Sequence, residues 1–210
     1  MKTQAFPNAY EGVKKIWISE ILNLVGAAAM LVAAISILLS ASASYAGAVF
    51  ELGIVMIIML GSSIALIVAF IFKIIGINRA SLDEPAFKTA FFLVIAGLVI
   101  SVVSTVFGKN ATVKGITSIA SDVINLAVTV FVIRGIRNLA VKLSDHEIDQ
   151  KGDTLLKLFI VIYSLLLIAH IVALISVEVS AIVSLIAAVL SLVQAILYLL
   201  FLNKAKTMLE

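Results

Sequence analysis

The sequence predicts an all-α polytopic membrane protein of six transmembrane helices, arranged as three tandem helical hairpins with both termini cytoplasmic. Three observations predict it. Six apolar runs and their connections take up almost all of the 210 residues, and each run is long enough for a ~30 Å hydrocarbon core, which takes about 20 residues to cross. Charged residues are 13% of the chain against 63% hydrophobic, about half the charged share of a soluble domain. Basic residues also fall almost entirely on one side when the runs are traced as alternating crossings.

The first run, Ile16–Ser40, follows Lys14 and Lys15 and starts with Trp17, a basic anchor with an interfacial aromatic beside it. Ala41-Ser42-Ala43 and Ser44-Tyr45-Ala46 resemble a signal cleavage site, but the apolar stretch before them, Ile16–Leu39, has 24 residues, where a signal h-region has about 7–15. The run therefore reads as an uncleaved span. The second run is Ala46–Phe72, with Tyr45 at its outer edge, and the third is Phe87–Phe107. The fourth, Thr112–Ile133, the fifth, Leu155–Ile175, and the sixth, Val177–Leu202, complete the set. Short connections at Ala41–Tyr45, at Gly108–Ala111 and around Ser176 predict tight turns on one side of the membrane. Helices are the expected form, because lipid offers no partner for unpaired backbone groups. The alternating polar positions of a β-barrel strand are missing.

With the N-terminus inside, thirteen basic residues (Lys2, Lys14, Lys15, Lys73, Arg79, Lys88, Arg134, Arg137, Lys142, Lys151, Lys157, Lys204 and Lys206) are cytoplasmic and two, Lys109 and Lys114, are external. The positive-inside rule selects this orientation, and the expected location is the cell membrane. It also accounts for the net charge of +3 without a nucleic-acid partner. The absence of Cys rules out disulfides, thiolate catalysis and cysteine metal sites. No HExxH, Gly-x-Ser-x-Gly or phosphate-loop pattern occurs, so the expectation is no enzyme, cofactor or metal. Asn110-Ala111-Thr112 matches the glycosylation pattern, which matters only in a secretory pathway.

The polar segments ahead of the odd-numbered spans repeat. Asn8-Ala9-Tyr10-Glu11 leads to Lys15, Ser81-Leu82-Asp83-Glu84 to Lys88, and Ser144-Asp145-His146-Glu147 to Lys151. Each reads as a capping box, in which Asn or Ser accepts from an orphan backbone N–H and Glu reaches back. The exits of the second and fourth spans also agree, in Gly76-Ile77-Asn78-Arg79 and Gly135-Ile136-Arg137-Asn138. Three repeats in one orientation differ from the inverted repeats of many secondary transporters. The stretch Ala80-Ser81-Leu82-Asp83-Glu84-Pro85-Ala86-Phe87-Lys88 resembles a recurrent segment in small six-span membrane proteins of Gram-positive anaerobic bacteria. That resemblance implies a fold and no activity.

Polar groups inside a span are costly and are functional candidates by default. Asp122 lies 12 residues from Arg134 and His170 lies 13 from Lys157, so both sit at a depth of roughly 18–20 Å at ~1.5 Å per residue. Asn125 shares the Asp122 face. An Asp–His pair could relay protons; as a structural contact it would contribute about 0.6–2 kcal/mol of interhelical bonding. Glu20 and Asn23 near the inner boundary and Gln194 near mid-membrane are secondary candidates. Ser62 and Ser63 read as packing positions, as do Gly97 with Ser101, and Ser180, Ser184 and Ala188. Glu51 and Glu178 belong at the outer surface. The reading that follows is a non-catalytic scaffold or accessory subunit whose partners are the lipid bilayer and other membrane proteins or a second copy. The alternative is a small-solute or ion transporter or channel built on Asp122, His170 and Asn125.

Overall fold

Two of the helices begin at proline, where the missing N–H would be unpaired in any case and the fixed φ already suits a helix. These are α1 (Pro7–Ser40) and α3 (Pro85–Phe107); the others are α2 (Tyr45–Ala80), α4 (Ala111–Lys142), α5 (His146–Ala173) and α6 (Val177–Leu209). The computed structural model describes the backbone of residues 5–40, 45–107, 111–173 and 177–210. It describes their side chains apart from those of residues 34, 37–40, 45–52, 111, 112, 114, 115, 118, 166–173 and 177–189. Among the described residues five helical stretches are long and apolar enough to cross a membrane: Pro7–Ala33, Gly53–Ala80, Pro85–Phe107, Ile119–Lys142 and Leu190–Leu209. The fifth expected span, Leu155–Ile175, extends past the described residues.

Each helix packs on the next in sequence and α1 meets α6, which closes a ring of three hairpins. The hairpins are antiparallel. In the first, Gly12 meets Gly76 and Gly26 meets Leu66; in the second, Phe87 meets Gly135 and Ile124 meets Gly97; in the third, Gly152 meets Phe201. The start of α1, the end of α6 and the turns at 81–84 and 143–145 therefore gather at one end, called here the polar end. Close approach explains the glycines there. A Cβ on Gly12 would lie 2.5 Å from the Gly76 carbonyl oxygen, and a Cβ on Gly76 would lie 2.7 Å from that of Gly12. Backbone thus touches backbone.

Among the described residues the buried core sits toward the polar end and draws on all six helices, with Ile16, Ile77, Phe87, Ile136, Leu139 and Leu202 fully enclosed. The opposite pattern holds outside, where Ile57 is 71% exposed and Ile64 and Leu60 nearly as much. An apolar surface of that extent is stable against lipid and not against water.

The helices run further toward the polar end than the apolar runs do. α2 continues from the expected Phe72 to Ala80, α4 from Ile133 to Lys142, and α5 starts at His146 in place of Leu155. Hydropathy marks only the lipid-matched part of a helix; beyond it, ion pairs sustain the structure. Glu11 of α1 pairs with Arg79 of α2 at 3.2 Å. Glu84, just ahead of α3, takes a hydrogen bond from Asn138 at 2.8 Å and pairs with Lys142 at 2.7 Å, both on α4. Glu147 of α5 meets Lys204 of α6 at 3.0 Å. The three repeat glutamates thus make the same link, from the first helix of a hairpin to the second. Arg79, Asn138 and Lys204 each follow two positions after a fully buried Ile77, Ile136 or Leu202.

These links differ from the expected capping boxes, since Glu11, Glu84 and Glu147 each reach the neighbouring helix, although Glu84 also accepts from the Ala86 N–H at the start of α3. Pro85 fixes where α3 starts and leaves Glu84 outside it, free to reach α4. Asp83 caps a different helix. Its carboxylate accepts from the Ala9 backbone N–H at 2.7 Å and from Asn8 Nδ2 at 3.0 Å, both at the start of α1. Ser81 donates back to the Asn78 carbonyl at 2.6 Å. Asp145 caps α5 through the Ile148 N–H at 3.0 Å. Ser144 takes the left-handed conformation (φ 58°); with it, the Asp145 and Ser144 N–H groups close the end of α4 on Ala140 and Val141.

Between hairpins, Arg137 of α4 spans Asp149 and Asp153 of α5 at 2.8 and 3.0 Å. Its stem fills the space over Gly152. Lys206 of α6 lies 4.3 Å from the Trp17 ring of α1, a cation–π contact at the closure of the ring.

Candidate functional site

Polar side chains from four helices meet between the first two hairpins. Glu20 of α1 pairs with Lys73 of α2 at 2.8 Å, and both side chains are mostly buried, at 17% and 22% exposure. Asn23 lies one turn beyond Glu20 on the same face of α1. Lys73, Phe70 and Asn23 border a cavity of about 240 Å³, which Gly97 and Ser101 of α3 and Ser121, Asn125 and Val128 of α4 complete. Ser101 donates to the Gly97 carbonyl at 3.0 Å, so its proton is held by its own helix while its oxygen stays available as an acceptor.

Two amides, two hydroxyls and one ammonium therefore line a cavity whose other walls are apolar. Glu20 balances the Lys73 charge, which leaves the site close to neutral. The amides can both donate and accept. Such a set suits hydrogen bonding to a small polar molecule.

The expected trio separates. Asn125 lines the cavity, whereas Asp122, half-buried on α4, is outside the lining. Its charge reaches the Tyr163 hydroxyl on α5. The His170 side chain lies outside the described residues, as do Glu51, Glu178, Ser180, Ser184 and Ala188. Gln194 is buried on α6 and hydrogen-bonded to Tyr163, so it ties α5 to α6 and has no part in the cavity. Glu20 and Asn23 join Asn125 at the site. Ser62 and Ser63 donate to the carbonyls of Ile58 and Met59 one turn back.

Lys73, Ser101 and Ser121 were not apparent as site residues in the sequence. In the sequence Lys73 reads as a topological anchor, because the apolar run ends beside it. The helical continuation through Gly76-Ile77-Asn78-Arg79 was the signal that the anchor is Arg79 and that Lys73 lies two turns inside the helix end.

Apolar helices in a closed ring with lipid-suited outer faces make this chain an integral membrane protein of the multi-pass helical class. No family model, curated protein or solved structure matches it.

Proposed function

We propose that the chain is a non-enzymatic cell-membrane protein, its ends cytoplasmic, that binds a small uncharged or zwitterionic polar solute between its first two hairpins as part of its transport. One observation carries this reading: a cavity of about 240 Å³ brings Asn23, Lys73 and Asn125 together between the first two hairpins, with Asn125 and Ser101 exposed at its opening. Polar groups at membrane depth are costly to maintain and mark solute pathways by default. The balanced Glu20–Lys73 pair argues for a solute without net charge.

The test is thermal unfolding of the purified protein against a panel of amino acids, polyols and small amides, followed by uptake into proteoliposomes. A ligand at a hundred times its Kd adds about 2.7 kcal/mol of stability, and Asn125→Leu should abolish that gain and uptake together. A panel without any stabilising solute, or uptake that Asn125→Leu leaves intact, refutes the reading.

The scaffold reading has its own support. Gly53 and Gly61 on α2 have open space where a Cβ would stand, room for close approach by another membrane helix. Because the chain has no Cys, Gly61→Cys would report such a contact by disulfide trapping.

A further inference from the structure

The polar end of the third hairpin differs from the other two. At Glu11 and at Glu84 the acid meets one basic side chain, Arg79 or Lys142. At Glu147 two lysines converge, Lys151 from its own helix and Lys204 from α6, and these three groups of the groove carry one positive charge in excess, which the Asp145 carboxylate offsets in part from outside the groove lining. The Glu147 carboxyl is held down to about 2 by the hydrogen bonds of Lys151 and Lys204 and by their charges, so it stays ionised and the excess persists across physiological pH.

Below these lysines α5 and α6 part to leave a groove of about 510 Å³. Its lining follows the same rule on both helices. Counting away from the polar end, Lys151 is followed at four and seven residues by Leu155 and Leu158, and Lys204 by Leu200 and Leu197. Those spacings keep each set on one helix face. The leucines therefore lie about 6 and 10 Å deeper than the lysines at 1.5 Å per residue. Leu200 is 59% exposed, so the groove is open along its side.

We propose that this groove binds one anionic phospholipid from the leaflet at the polar end. The headgroup phosphate meets Lys151 and Lys204, and an acyl chain runs between the two pairs of leucines. The inference rests on the chain being membrane-embedded and is independent of the solute cavity. An amphiphile is the ligand that matches cations above an apolar floor, and basic pockets between helices near the cytoplasmic face are known to take anionic headgroups. A free phosphate would leave the leucine floor unused, and a second protein copy would bring the same excess positive charge.

Native mass spectrometry of the protein in mild detergent, titrated with phosphatidylglycerol or phosphatidylcholine, tests this. One phosphatidylglycerol should bind at least tenfold more tightly than phosphatidylcholine. Each lysine near the surface contributes about 1 kcal/mol to anionic lipid binding, so Lys151→Gln with Lys204→Gln should cut the preference about thirtyfold. Lys14→Gln with Lys88→Gln, the same charge loss elsewhere at the polar end, should leave it within twofold. Leu197→Trp fills the groove and should displace the lipid without altering charge. Equal affinity for the two lipids, an unchanged preference in the groove double variant, full competition by glycerol phosphate, or a lipid-free dimer would each overturn the proposal.

Discussion

Replacing Gly12 by alanine will force α1 and α2 apart at their crossing. The new Cβ would stand 2.5 Å from the Gly76 carbonyl oxygen and 2.7 Å from the Ala80 nitrogen. Ordinary contact begins at 3.4 Å. These obstacles are backbone, so no rotamer change relieves them, and the helices must separate by about 0.9 Å. A gap of 0.5–1 Å forfeits about a quarter to a half of a dispersion contact, and with on the order of twenty atom pairs at roughly 0.1–0.2 kcal/mol each the loss is about 1 kcal/mol. Strain on neighbouring turns brings the expected cost to about 1–3 kcal/mol. Gly76→Ala should cost a similar amount, since its Cβ would meet the Gly12 oxygen at 2.7 Å. The double variant distinguishes this account from simple helix propensity. One separation accommodates both methyl groups, so the double cost should fall well short of the sum, with a coupling of about 1 kcal/mol. Propensity alone predicts that each alanine stabilises, by up to about 1 kcal/mol. Chemical or thermal unfolding in detergent reads the cycle, and stabilising single variants or strictly additive costs would refute the backbone contact.

Two further outcomes follow from the polar end. Ser144→Gly should stabilise the fold by about 0.5 kcal/mol, because Ser144 holds φ 58°, a conformation that costs a non-glycine residue about 1 kcal/mol, while glycine adds unfolded-state entropy; a lower melting temperature would contradict the α4–α5 turn geometry. Burial raises the Glu84 carboxyl, but the hydrogen bonds from Lys142 and Asn138 and the Lys142 charge outweigh it and leave the group below its ordinary 4.5. A depressed folded value means that its stabilisation is complete above 4.5 and is lost as pH falls through the folded value. Melting temperature should therefore hold from neutrality to about 5 and fall below 4.5, with Glu147 adding a loss of the same sign down to about 2. Glu84→Gln should lower stability at pH 7 by about 1–2 kcal/mol and flatten the acid limb. An unchanged acid limb in that variant would exclude the Glu84 link as its source.

Much of the fold was legible because lipid imposes a length rule on apolar runs, and Phe87–Phe107 matches α3 almost to the residue. The repeat was legible as a spacing of Glu and Lys. Its mechanism was not: capping boxes are local, whereas the bonds of Glu11, Glu84 and Glu147 join helices that are 57–68 residues apart in sequence. Of the site, Glu20, Asn23 and Asn125 stood out as polar residues in apolar surroundings. Their meeting with Lys73 depends on which faces the first four helices turn toward one another, and nearly uniform apolarity leaves those faces unmarked.

The sequence by itself determined the membrane class, the helical hairpins and the polar end, because composition, span length and charge placement act one residue at a time. Only the tertiary structure decided that Gly12 and Gly76 share a backbone contact, that Asp83 caps α1, and that Asn125 joins Lys73 while Asp122 lies outside their cavity. Those outcomes depend on helix rotation and crossing, which close packing and a few charged bonds select.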